Sequence, residues 1–63
     1  MKFIRLKDVI AKTGLARATI YKFMANDKFP KTISLGDRAV AWLDSDVDEW
    51  MLGRIALSEE AEA

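Results

Sequence analysis

The chain contains neither cysteine nor histidine. Without cysteine there is no disulfide framework and no thiolate metal site. Without histidine the usual general base and the commonest metal ligand are missing. No nucleophile–base pair and no glycine-rich phosphate cradle is visible, so neither catalysis, a cofactor nor a small-molecule substrate is expected. No apolar run approaches the roughly 18 residues that mark a membrane-spanning helix, and no signal-peptide pattern is present, which leads to the expectation of a soluble, intracellular protein. The one acidic cluster, Asp44, Asp46, Asp48 and Glu49, lacks the central glycine and distal glutamate of a calcium loop. It reads instead as acids at a helix start. Sixty-three residues make one domain at most, and a chain this short buries only about 60% of its unfolded surface.

What the chain does have is a division of charge. The net charge is zero, but the segment from Met1 to Leu43 holds nine basic and three acidic residues, whereas Asp44 to Ala63 holds one basic and seven acidic. Such asymmetry implies a basic working face and an acidic support. A neutral total argues against a purely electrostatic, histone-like binder while leaving room for a basic patch on one side.

The stretch Thr13 to Pro30 organises the rest. Ahead of it, Met1 to Arg5 reads as an extended lead-in, and Leu6 to Thr13 as a first helix with Leu6, Val9 and Ile10 on one face. Gly14 stands where a left-handed helix cap is expected, and Leu15 plugs the corner. A short glycine-containing turn between two steeply crossing helices is the requirement of a helix-turn-helix. The second helix is expected from Ala16 or Arg17 to Asn26. Ile20, Phe23 and Met24 face inward, and Ala18, Lys22 and Ala25 lie opposite. Ala16 is a poor cap, having no side-chain oxygen for an orphan N–H. Phe29-Pro30 then forces an extended backbone.

Lys31 to Trp42 reads as a hairpin around Gly36 to Ala39. A two-residue Gly-Asp loop would set Leu35 against Arg38. A four-residue loop pairs Leu35 with Val40 and Ile33 with Trp42, burying all four apolar residues together, and is preferred. A last helix is expected from Asp44-Ser45, capped by Ser45, with Val47, Trp50, Met51 and Ile55 buried and with fraying beyond Gly53. The predicted architecture is therefore mainly α with a small β-hairpin: a winged helix-turn-helix over residues 1–57, followed by an acidic, disordered tail over 58–63.

Readout of the major groove needs long polar donors on the outer side of a helix near its start. Arg17 suits a guanine edge or a phosphate, Thr19 and Tyr21 offer hydroxyls, and Lys22 offers a cation. Ala18 permits close approach and contact with a thymine methyl. Two cations alone describe any solvated helix face; joined to the Thr-Gly-Leu turn and a wing, they point to double-stranded DNA. Lys28, Lys31 and Arg38 are placed along the backbone side of the hairpin, with Arg38 at the tip, suited to a narrow minor groove. Phe23, Phe29, Trp42 and Trp50 are assigned to packing rather than to base stacking.

The order Leu6-x-x-Val9, Thr13-Gly14-Leu15-x-Arg17-x-Thr19-Ile20-Tyr21, Phe29-Pro30, Leu35-Gly36, Ala41-Trp42 and Val47-Asp48-x-Trp50 resembles the AlpA family of small phage-type transcriptional regulators, relatives of the excisionases and of MerR-type DNA-binding domains. The resemblance runs from about Met1 to Ile55. It implies a winged helix-turn-helix acting in the bacterial cytoplasm at promoters of a prophage or integrative element, typically activating an integrase gene or assisting excision. It also implies a recognition helix over Arg17 to Met24 and a wing bearing Arg38. Ala16 and Ala18 stand where that family usually has serines, which removes a helix cap and one possible contact. DNA is the expected partner, with an integrase or further copies of the chain beside it. Two other readings stay open: an excisionase-type factor that bends DNA, and a small module that docks a protein through its acidic last helix.

Overall fold

The computed structural model describes the backbone of residues 1–62 and the side chains of residues 1–59. The elements follow in the order β1 (Phe3–Ile4), α1 (Leu6–Thr13), α2 (Arg17–Ala25), β2 (Ile33–Ser34), β3 (Val40–Leu43) and α3 (Asp44–Glu62). Three helices with a small antiparallel sheet, in this order, make a mainly helical winged helix-turn-helix. None of these helices is long and apolar enough to cross a membrane.

The core takes one side chain from almost every element: Ile4 from β1, Val9 from α1, Ile20 from α2, Phe29 from the loop, Trp42 from β3 and Val47 from α3, all buried. Leu15, Phe23, Met24, Trp50 and Met51 pack around them. Phe29 is the centre of an aromatic corner, edge-on to Trp50 at 4.8 Å and to Trp42 at 6.4 Å between ring centroids. Each indole also uses its N–H: Trp42 Nε1 donates to the Pro30 carbonyl (3.0 Å) and Trp50 Nε1 to the Lys28 carbonyl (2.7 Å). The residues flanking Phe29 are thus tied to both β3 and α3, and the polar edge of each tryptophan has a partner.

The sheet differs from the expected hairpin in two ways. The lead-in is a strand, so β3 lies in the centre, between β1 and β2. Phe3 pairs with Leu43 and Ile4 with Trp42, and the Asp44 N–H continues the ladder to the Lys2 carbonyl at 2.8 Å. The hairpin register is also one residue from the expected one: Ile33 pairs with Ala41 and Ser34 with Val40. Leu35 N–H donates to Ala39 O (2.7 Å), which leaves Gly36, Asp37 and Arg38 as the loop. A one-residue slip moves every side chain to the opposite face. Trp42 and Ile4 are buried in the core, while Ile33 pairs with Ala41, itself also buried, on the opposite side of β3, and Leu35 and Val40 are 43% and 45% exposed rather than buried. The clustering of all four hairpin apolars is overridden because Trp42 must enter the core beside Ile4 and reach Pro30. Gly36, at φ 155°, takes a conformation that suits glycine.

α3 begins at Asp44 directly after β3, with Ser45 exposed inside its first turn rather than capping it. Its helical backbone passes through Gly53 and continues to Glu62, where the sequence reading has fraying and then a disordered tail; Ala63 lies outside the described residues. Leucine, alanine and glutamate are strong helix formers, and one glycine costs only about 1 kcal/mol against alanine. Val47 is fully buried, but Ile55, expected in the same stripe, is 54% exposed. Helical periodicity places Ile55 near the buried side, at the edge of the body beside Leu15 and Met51, where it is only partly covered.

Candidate nucleic-acid interface

The helix-turn-helix is held by local bonds that the residue types explain. At the start of α1, Arg5 N–H donates to Asp8 Oδ2 (3.2 Å), which is half of a capping box. At its end, Gly14 is left-handed (φ 73°) and its N–H reaches Ile10 O at 2.8 Å. Thr13 serves both sides of the turn: its hydroxyl donates to Val9 O (2.7 Å) and accepts from Leu15 N–H (3.2 Å). Ala16 occupies the cap position of α2 without any side-chain bond, so the first-turn amides keep their positive ends free of a protein cap.

α2 ends in a Schellman arrangement. Asp27 adopts φ 56°, its N–H bonds Met24 O (3.1 Å), and Lys28 N–H bonds Phe23 O (2.7 Å). Asn26 adds a side-chain bond from Nδ2 to Lys22 O at 2.9 Å. The helix is fixed at its C-terminal end and along its inner face, where Ile20 is fully buried and Phe23 and Met24 are partly so. Its outer face is open.

The structure brings some of the sequence-derived candidates together and leaves others apart. Arg17, Ala18 and Lys22 are exposed and Tyr21 is 50% exposed, whereas Thr19 is half-buried at the edge of the packed face. Lys28 and Lys31 are exposed beside the aromatic corner. Lys31 lies 4.0 Å from Asp27, a loose pair between two solvent-exposed groups. Arg38 is exposed in the hairpin loop. Arg17 and Tyr21 meet two residues absent from the sequence-derived set, Arg5 and Lys7, around a depression of about 330 Å³ whose apolar side includes Leu6 and Val40. The available signal was the run of cations at Lys2, Arg5 and Lys7; what the sequence did not show is that the start of α1 lies beside α2.

One cation of the basic half is used structurally. Lys12, at the end of α1, bonds Asp44 and lies 2.6 Å from Asp48, both on α3. The hydrogen bonds to Asp44 and then Asp48 raise the Lys12 ammonium above its ordinary value, and the bond from Lys12 holds the Asp44 carboxyl below its own. Two of the acids read as helix-start residues thus also clamp α3 to α1. On the other side of this clamp, Leu15, Phe23, Trp50, Met51 and Ile55 line an apolar groove of about 310 Å³. Arg54 lies 5.8 Å from the centroid of the Trp50 ring, within cation–π range.

Residues 2–55 match the family described as "Prophage CP4-57 regulatory protein (AlpA)". The chain belongs to the AlpA family. Among its relatives, an uncharacterized protein of Enterobacteria phage P4 is 47% identical over 55 residues, a match that takes in 87% of this chain and 62% of the phage protein. The DNA-binding transcriptional activator AlpA of Escherichia coli (strain K12) is 42% identical over 64 residues, covering 90% of both chains. The chain thus spans less than two thirds of the phage protein's length. The AlpA match ends at residue 55, so the last turns of α3 lie beyond it.

Proposed function

We propose that this AlpA-family chain is a sequence-specific, double-stranded-DNA-binding regulator of transcription in a prophage or integrative element. It acts in the bacterial cytoplasm at a promoter controlling integration or excision. The observation that carries this reading is α2, which is fixed on one side by Ile20, Phe23 and Met24 while Arg17, Ala18, Tyr21 and Lys22 stand open on the other. A helix immobilised in this way can enter the major groove with its donors preset. Arg38, Lys28 and Lys31 follow the sugar-phosphate backbone or the minor groove, supplying affinity more than sequence choice. A single module of this size buries on the order of 600–1,000 Å² on DNA, so adjacent copies, or an integrase, complete the assembly. The transcriptional activity named for the E. coli relative supports this reading.

A second reading, a DNA-bending excision factor, is favoured by one feature. The outermost strip of α2 carries two alanines, Ala18 and Ala25, around Lys22. So few donors for base edges suit a protein that draws its selectivity from DNA shape and deformability. A third, docking of a protein on α3, draws on the exposed Leu52, Ile55 and Leu57.

Selection from a random duplex pool, run beside the double variant Arg17→Ala/Lys22→Ala, separates these readings. An enriched motif bound by the wild type and lost by the variant supports the regulator. Binding without a motif, together with measurable bending, supports the excision factor. No binding to duplex at low salt removes both DNA readings.

A further inference from the structure

The exposed residues of α2 form two strips. Ala18, Lys22 and Ala25 make one, at i, i+4, i+7 spacing. Arg17 and Tyr21, also four apart, make the other, rotated by about 100° toward the start of α1. The second strip borders the depression that Arg5 and Lys7 enter from α1 and that Val40 closes from β3. Among the described residues, no acid lines this depression. The nearby Asp8 carboxylate is turned back onto the Arg5 N–H, and among the described residues Arg5, Lys7 and Arg17 form no ion pair. Three unpaired cations and a phenol thus surround a hollow with an apolar side of Leu6 and Val40.

That combination matches a sugar-phosphate unit, with an anion for the cations and a ring for the apolar side. We infer that the hollow between α1 and α2 is a backbone-anchoring site for one phosphate and its deoxyribose, in which Arg5, Lys7 and Arg17 act together as the phosphate clamp. The inference rests on the DNA-binding reading and adds a division of labour to it. Arg17, despite its place at the start of the recognition helix, holds the strand rather than reading a base. Base reading falls to the Ala18–Lys22–Ala25 strip. Tyr21, at the rim, supplies a hydroxyl to the same phosphate.

The test measures affinity for a selected duplex across a salt series, with the motif reselected for each variant. Arg5→Ala/Lys7→Ala is expected to flatten the slope of log affinity against log salt by about 1, and Arg17→Ala by less, because the three cations share one phosphate and therefore one released counterion. The enriched motif should stay the same in both. Arg5→Lys/Arg17→Lys, which keeps the charges, should restore most of the slope, whereas Lys22→Ala should change the preferred base at one position. The three cations are exposed, so the variants should retain wild-type circular dichroism. A wild-type slope in Arg5→Ala/Lys7→Ala, or an altered motif in Arg17→Ala, overturns the anchor while leaving DNA binding intact. Failure of the wild type itself to bind duplex at low salt overturns both.

Discussion

The two faces of α2 lie on opposite sides of one helix and are built on opposite terms. The inner face is determined several times over: Ile20 is fully buried, Phe23 packs against Trp50, and the helix end is tied through Lys28 to the same tryptophan. Among the described residues, Ala18, Lys22 and Ala25 on the outer face are exposed and their side chains make no hydrogen bond or ion pair. A recognition helix needs both conditions. The packed side sets where the donors stand, and the open side lets them change without cost to the fold. Specificity in such a domain can therefore drift faster than stability.

The sharpest way to break this contrast is to damage the inner face. Ile20→Ala should cost about 2–5 kcal/mol by lost burial and cavity formation. That is a large part of the stability available to so small a domain, so urea denaturation should show much of the population unfolded and DNA binding lost with it. Ala16→Ser works in the opposite direction. A hydroxyl at the empty cap position of α2 should add about 1 kcal/mol, read as a higher urea midpoint at unchanged slope. Trp50→Phe keeps a ring against Phe29 and removes the bond to the Lys28 carbonyl. It should destabilise by about 0.5–1.5 kcal/mol, with the loss confined to stability if the outer face depends on the corner only for position.

The clamp between α1 and α3 should show a smaller, pH-dependent effect. The Asp44 carboxyl is held below its ordinary value by Lys12. Its contribution is therefore present above the ordinary carboxylate range and fades as the pH falls through the lowered value. Lys12 is raised, so its contribution persists up to the ordinary lysine range and is lost as the pH rises beyond it. Both groups remain in contact with solvent, and salt should weaken the effect. Thermal melting of Asp44→Asn against wild type should show a gap at neutral pH that closes in acid. Smallest of all, Lys22→Ala should leave stability within about 0.5 kcal/mol while changing which duplexes are selected. A large loss of stability in that variant would mean that the outer face is not independent of the fold.

The helices were legible because their signals are local. Gly14 after an apolar i, i+3, i+4 pattern marks the end of α1, and the spacing of Ile20, Phe23 and Met24 names the buried side of α2. The hairpin register was not legible. Alternation offered more than one way to cluster Ile33, Leu35, Val40 and Trp42, and the choice depends on two distant facts: β1 takes the other edge of β3, and the Trp42 indole finds the Pro30 carbonyl. Ile55 shows the same limit from another side, since periodicity orients a residue but cannot say whether the body extends far enough to cover it. Most of the candidate contacts could be named from the sequence as exposed cations beside a helix-turn-helix. Arg5 and Lys7 could not, because their relevance lies in being next to Arg17 across a helix crossing.

By itself, then, the sequence determined the order of elements, the turn at Thr13-Gly14-Leu15, the inner and outer sides of α2 and the basic character of one half of the chain. These follow from backbone preferences and side-chain periodicity, which act over a few residues. The tertiary structure alone decided the third strand, the register beneath Trp42, the two indole bonds that hold the Phe29 corner, the Lys12 clamp and the grouping of Arg5, Lys7, Arg17 and Tyr21. Each of these joins residues from different elements, and such contacts form only where packing around a shared core brings those elements together.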